Sequence, residues 1–326
     1  MIRRSHVKRM EVYGVVAAAL LPLLIRDDAF RHLLVIAGIY GIAALGLSLF
    51  MGFAGQISIG HSAFMGIGGY TTAVLATRYG VPPAAAVAAG AIAAGGVALV
   101  TGAPLLKLRE YFLALATIGL TQIFRVAVSE SGLTGGVSGI SDVPWLRLFG
   151  VTFDTPLRQF FLVWSLLYAL FLYSRNLVRS RHGRAALAVA ASEETARTAG
   201  IGPVRLKLDF FVLSAVFAGL AGGLFAGVLT AVNPETFNLN LSVLLVMMVI
   251  IGGVGSLSGP LFGALALTWI TDALGAYQEY SLPLFGLVLI LFLVFLPEGI
   301  FRGIGSRWFD TVRTWADDDW RKELDR

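Results

Sequence analysis

The amino-acid sequence predicts an all-α polytopic integral membrane protein, and three observations carry that expectation. Hydrophobic residues make up 57% of the 326-residue chain and charged residues only 14%. A soluble chain of this size needs about a quarter of its residues charged to face water, so lipid must cover part of this one. The apolar residues gather in long runs, several near the about 20 residues that cross a hydrocarbon core. Basic residues punctuate these runs and form no single patch, a pattern of membrane topology that argues against nucleic acid despite the formal charge of +5.

Each run reads as a helix, because an open sheet in lipid leaves backbone groups unpaired. Spans are predicted near residues 12–25, 33–53, 61–78, 83–103, 110–128, 157–175, 208–232, 239–252, 260–277 and 282–297. That makes about ten transmembrane helices in a single domain covering residues 1–326. The first run, VYGVVAAALLPLLI, follows a basic start but lacks a small-residue cleavage site, so an uncleaved and rather short first span is expected. Ten crossings put both termini on one side. Nineteen of the 25 lysines and arginines fall on that side and six on the other. By the positive-inside rule both termini and the 175–209 loop are then cytoplasmic.

Two connections are long. The outer one, 129–156, is rich in turn-forming glycine and proline. The inner one, 175–209, has strong helix formers from Gly183 to Ala199 and stops at Gly200, so one compact helix is predicted there. The tail at 298–326 mixes six basic with seven acidic residues and carries Trp308, Trp315 and Trp320, which predicts packing at the membrane interface.

Several activities are excluded by their motifs. There is no cysteine, hence no disulfide and no thiolate metal site. None of the four lysines completes a phosphate-cradling G-x-x-x-x-G-K-[ST] loop, and no HExxH helix occurs. Setting aside the first and last two residues of each span, two charges lie within predicted spans, Arg125 in the fifth and Asp272 in the ninth. Charges at membrane depth pair or face a cavity, so Arg125 and Asp272 are a candidate pair, with outward snorkelling of Arg125 as the alternative.

Two segments break the apolar pattern. GFAGQISIGHSAFMGIGGY, residues 52–70, holds six glycines, and IIGGVGSLSGPLFGA, residues 250–264, repeats the Gly/Ser-rich character in the other half. Irregular backbone at membrane depth is tolerated where it is buried in protein or lines a watery cavity. Paired glycine-interrupted segments therefore point to a translocation path, with Gly55, Gln56, Ser58, Gly60, His61, Ser256 and Ser258 as its candidate residues. Close helix packing through small residues explains the same glycines equally well. His61 reads first as a satisfied packing residue or helix cap, and Gln56 and Ser58 share that discount.

These segments resemble the branched-chain amino acid permease family of ABC importers. GFAGQISIGHSAFMGIGGY is similar to the family signature, and REYFLALATIGLTQIFRVAVSESGLTGGVSGI resembles its central span and outer loop. GRAALAVAASEETARTAGI resembles its cytoplasmic coupling segment, and NPETFNLNLSVLLVMMVIIGGVGSLSGPLFGA its late broken helix. The resemblance implies a subunit of the bacterial inner membrane that forms half of a pore for branched-chain amino acids or related small polar molecules. It further implies a second, shorter permease subunit, two cytoplasmic ATP-binding subunits and a periplasmic substrate-binding protein. ATP hydrolysis would belong to those partners, and no enzymatic activity, cofactor or metal is expected of this chain. On the coupling pattern, Gly183, Arg184, Glu193, Ala196, Arg197 and Gly200 match. Leu187, Ala190 and Ala191 depart from it, which predicts a more apolar ATPase contact, and Gln122 stands where the family commonly has an acid beside Arg125. Two alternatives stay open: an ion-coupled secondary transporter, and an ABC permease for urea, short amides or aromatic acids. The first needs buried relay residues, for which only Asp272, Glu110 and His61 are on offer.

Overall fold

The computed structural model describes residues 27–108, 110–148 and 150–275, with Gly286. The spans predicted at 12–25 and 282–297, and the 298–326 tail, lie outside the described residues. Within them the chain forms ten α-helices. The first is α1, Asp28–Ser48, opened by Asp27, whose carboxylate accepts from the Ala29 N–H at 3.0 Å. It runs into a π turn, Leu49–Phe53, and then an irregular stretch over residues 54–60. Next come α2 (His61–Arg78), α3 (Pro83–Leu105), α4 (Glu110–Glu130) and α5 (Pro156–Arg179). Two short helices follow, α6 (Arg181–Ala191) and α7 (Glu193–Thr198). The long α8 spans Pro203–Leu229, then α9 Leu239–Gly252 and α10 Gly259–Gly275. Proline at the first turn of α3, α5 and α8 supplies a preset φ where no N–H partner is needed.

Among the described residues, five stretches are long and apolar enough to cross a membrane: Asp28–Phe53, Pro83–Leu105, Tyr111–Glu130, Pro156–Arg179 and Pro203–Leu229. Leu239–Gly252 and Gly259–Leu274 are shorter apolar helices. The molecule is a polytopic membrane protein. The predicted span 61–78 is a helix but falls outside the apolar set. Its polar His61, Ser62 and Thr72 are enclosed by neighbours, because α2 packs against α3 and α8 and touches α4.

The layering follows from which helices lipid could tolerate. In α1 83% of the apolar stretch is buried, against 28% in α4 and 17% in α5. Thus α1, α2 and α8 form the centre, and α3, α4 and α5 expose side chains such as Ile92, Val100, Ile123 and Tyr168. Residues of that kind belong against lipid or another subunit. The centre is closed by small residues. A Cβ on Gly68 would run into the backbone of Gly219, and one on Gly219 would lie 2.6 Å from the Ala94 Cβ. Without side chains at these crossings α2, α3 and α8 approach closely enough to gain dispersion contacts in a setting that offers little hydrophobic drive. Buried aromatics fill what remains, with Phe211 against Phe50 at 5.0 Å and against Phe64 at 5.4 Å between ring centres.

The two long connections are more ordered than composition suggested. The outer one contains two 3-10 turns and a small hairpin, β1 (Arg147–Leu148) with β2 (Val151–Thr152). It is tied to the end of α8 by reciprocal hydrogen bonds between Ile140 and Val232, both 2.9 Å. The inner one is shorter than predicted, since α5 extends to Arg179 and α8 begins at Pro203. Its single predicted helix is corrected to two. Ser192 sits in extended backbone, and its hydroxyl accepts from the Thr195 N–H at 3.3 Å, ending α6 and capping α7.

Candidate functional site

The break after the π turn is held by its own polar residues. Gly55 takes φ of +67°, a conformation that favours glycine, and lets the chain double back. The Gln56 N–H donates to the Phe50 carbonyl at 3.4 Å, and its side chain, 3% exposed, donates to the Gly55 carbonyl at 3.0 Å. The Ile59 N–H donates to the Thr117 hydroxyl of α4 at 3.1 Å. A Cβ on Gly60 would lie 2.5 Å from the Thr117 carbonyl. Gly60 is therefore a packing glycine against α4.

His61 is fully buried and satisfied at both ring nitrogens. Nδ1 lies 3.1 Å from the Ser58 hydroxyl and Nε2 3.0 Å from the Ser214 hydroxyl on α8. Ser214 sends its one proton to the Phe211 carbonyl at 2.8 Å. Its oxygen must then accept, which assigns the proton to Nε2 and leaves Nδ1 to accept from Ser58. One residue on from His61, the Ser62 hydroxyl lies 2.6 Å from that of Ser242, so the start of α2 is stitched to both α8 and α9.

The structure brings the two glycine-rich segments together. Gly253 and Gly255 turn the chain at φ of +101° and +86° between α9 and α10. A Cβ on Gly52 would collide with the Gly255 backbone, and the Ser48 hydroxyl donates to the Ser256 carbonyl at 3.0 Å. Ser256 in turn caps α10, accepting from the Gly259 N–H at 3.0 Å, with Ser258 beside it at 3.4 Å. Gly55, Ser256 and Ser258 are partly exposed, whereas Gln56, Ser58, Gly60 and His61 are buried behind them.

The inner loop meets the same seam. A Cβ on Gly55 would lie 3.0 Å from the Ala190 Cβ, so α6 sits directly on the break. Gly183 packs against the Val178 backbone, Ala196 is buried, and the Arg184 guanidinium donates to the Arg179 carbonyl at 3.0 Å. Gly200 closes α7 at φ of +78°. Leu187, one of the apolar departures, is half-buried against the core.

The Arg125–Asp272 pairing is also corrected. Arg125 donates to the Glu235 carboxylate at 2.9 Å and to the Gln122 side chain at 3.2 Å, while Asp272 is exposed on α10. Glu235 sits in a 3-10 turn, Pro234–Phe237, that packs against the C-terminal half of α4.

Residues 30–296 match the family described as branched-chain amino acid transport system / permease component. The chain belongs to that permease family. Among curated relatives, the permease resembles the high-affinity branched-chain amino acid transport system permease protein LivM of Escherichia coli. The two are 32% identical over 286 residues, covering 80% of this chain and 67% of the relative. It also resembles the L-arabinose ABC transporter permease protein AraH of Azospirillum brasilense, at 27% over 64% of this chain and 62% of the relative. The fructose import permease protein FrcC of Rhizobium meliloti is 28% identical over 66% of this chain and 62% of that protein. No solved structure matches the permease significantly.

Sequence reasoning singled out neither Glu235 nor Lys207. A lysine among the apolar residues of PVRLKLDFF was the available signal for Lys207, which is only 5% exposed and meets Glu193.

Proposed function

We propose that this permease forms half of the translocation path of an ATP-binding-cassette importer for branched-chain amino acids. The match to the permease component family over residues 30–296 carries the reading. The relatives named for arabinose and fructose align over less of the chain and at lower identity, which favours an amino acid over a sugar. The proposed complex contains a second permease subunit, two cytoplasmic ATP-binding subunits and a periplasmic substrate-binding protein, in the bacterial inner membrane. About ten spans place both termini in the cytoplasm on the strength of the basic-residue asymmetry.

The path would run beside the paired glycine segments. Gly55, Ser256 and Ser258, being partly exposed, would border it, and Gln56, Ser58, Gly60 and His61 would hold the backbone behind them. Irregular backbone leaves carbonyl and N–H groups free to meet a small zwitterion, which a continuous helix cannot offer. An ATP-binding subunit would dock on the exposed side of α6 and α7, where Arg184 and Arg197 lie. Contact of Ala190 with Gly55 supports that loop as the route by which docking reaches the path.

Purification of the permease with its membrane neighbours tests the reading. ATP-binding subunits are expected to accompany it, and leucine uptake into vesicles is expected to require ATP and the loaded binding protein. Uptake by the permease alone on an ion gradient would replace the proposal with a secondary transporter. Calorimetry on the partner binding protein then distinguishes leucine-like ligands from urea, amides or aromatic acids.

A further inference from the structure

The helix α7 has six residues, too few to hold its shape without tertiary contacts. Three features hold it. Ala196 is 3% exposed, and the Ile201 N–H donates to the Ala196 carbonyl at 3.0 Å. The third is an ion pair between Glu193, at the start of α7, and Lys207, near the start of α8. Lys207 is nearly buried, with its side chain 7% exposed, whereas the Glu193 side chain is 42% exposed. An ammonium group so enclosed loses hydration, and a close carboxylate offsets that loss. Arg197 lies 3.7 Å from the other oxygen of Glu193 but is itself 63% exposed, so it adds little to the fixation.

On the other side of Ser192, α6 is anchored by Ala186 and Val189, which are buried in the core, and by Gly183 against the Val178 backbone. The helix α6 joins α7 through the single residue Ser192, and its far end presents Ala190 to Gly55. We infer that Glu193 and Lys207 form a positioning latch that fixes α7 on α8 and thereby keeps α6 seated on the helix break. Glu193 then acts within the chain, and the ATP-binding subunit is met by the outer residues of the loop. The latch rests on the importer reading for its consequence, since it sets how docking is passed to Gly55. It is a positioning pair and touches no substrate.

The chain lacks cysteine, so Ala196→Cys supplies a lone reporter beside the latch. In this background Lys207→Gln, Glu193→Gln and the swap Glu193→Lys with Lys207→Glu are compared as full complexes in membranes. Maleimide labelling of the reporter is expected to quicken roughly tenfold in the single variants, as local opening becomes easier. Stimulation of ATP hydrolysis by loaded binding protein is expected to fall in the same variants, and the swap is expected to restore both. Unchanged labelling in the singles overturns the latch, as does faster labelling with full stimulation. If the singles fail to accumulate, the swap decides: parental labelling and stimulation support the latch, and their absence overturns it. A complex without ATP-binding subunits would sink the importer reading separately, and labelling would then judge the latch alone.

Discussion

Replacing Ser214 with alanine isolates the network behind the helix break. In the parent, His61 and Ser214 are both fully buried and linked at 3.0 Å, with the ring N–H donating to the hydroxyl oxygen. Ser214→Ala removes that acceptor and leaves the N–H without a partner in a site closed to water. A stranded buried donor costs about 1–3 kcal/mol, against a smaller net gain for the intact bond. At roughly 2 °C per kcal/mol for a large chain, the apparent Tm should fall by roughly 2–6 °C. The triple variant Ser58→Ala, His61→Leu, Ser214→Ala strands no polar side chain and conserves volume approximately, so it should lie nearer the parent. Size-exclusion chromatography after heating the detergent-solubilised protein measures both. A Ser214→Ala protein that survives to the parental temperature would refute the assigned tautomer and the stabilising role of the network.

Other outcomes follow from the same geometry. Gly200→Val forces a β-branched residue to φ of +78° with no neighbour within 4 Å, so its cost of about 1–2 kcal/mol is purely backbone strain. It should yield an assembled complex whose ATP hydrolysis ignores loaded binding protein, and normal stimulation at equal yield would place coupling elsewhere. Arg125 and Glu235 pair at 2.9 Å with side chains 36% and 65% exposed, so a double-mutant cycle on thermal stability should give a coupling below about 1 kcal/mol. A larger coupling would mean that a partner or lipid buries the pair. For topology, Ser138→Cys should react with an impermeant maleimide from the periplasm and His182→Cys only from the cytoplasm. Labelling of position 182 from outside would invert the proposed orientation.

What could be read from the chain alone was whatever depends on hydrophobicity and local backbone preference. Long apolar runs require helices in lipid, so α1, α3, α4, α5 and α8 were legible with boundaries a few residues off. The glycine at position 200 announced a left-handed turn, since little else ends a helix so cheaply. Gly60 and His61 could be recognised as special but not assigned, because small and polar residues serve a path and a tight crossing equally well. Only the tertiary structure sets Thr117 of α4 against Gly60 and Ser214 of α8 against His61. The same limit governed the charges. Depth along a helix made Asp272 a candidate for Arg125, but ion pairs depend on azimuth, and the turn at Pro234–Phe237 delivers Glu235 instead. Ser192 divides the helix predicted in the 175–209 loop because its hydroxyl competes for the α7 N–H groups, a choice that local propensity leaves balanced. Composition and period thus determined that this chain crosses a membrane as helices and where its backbone gives way. Tertiary packing alone decided that its two glycine segments touch, that α6 rests on one of them, and that Lys207 finds Glu193, because contacts between residues distant in sequence leave no periodic trace in it.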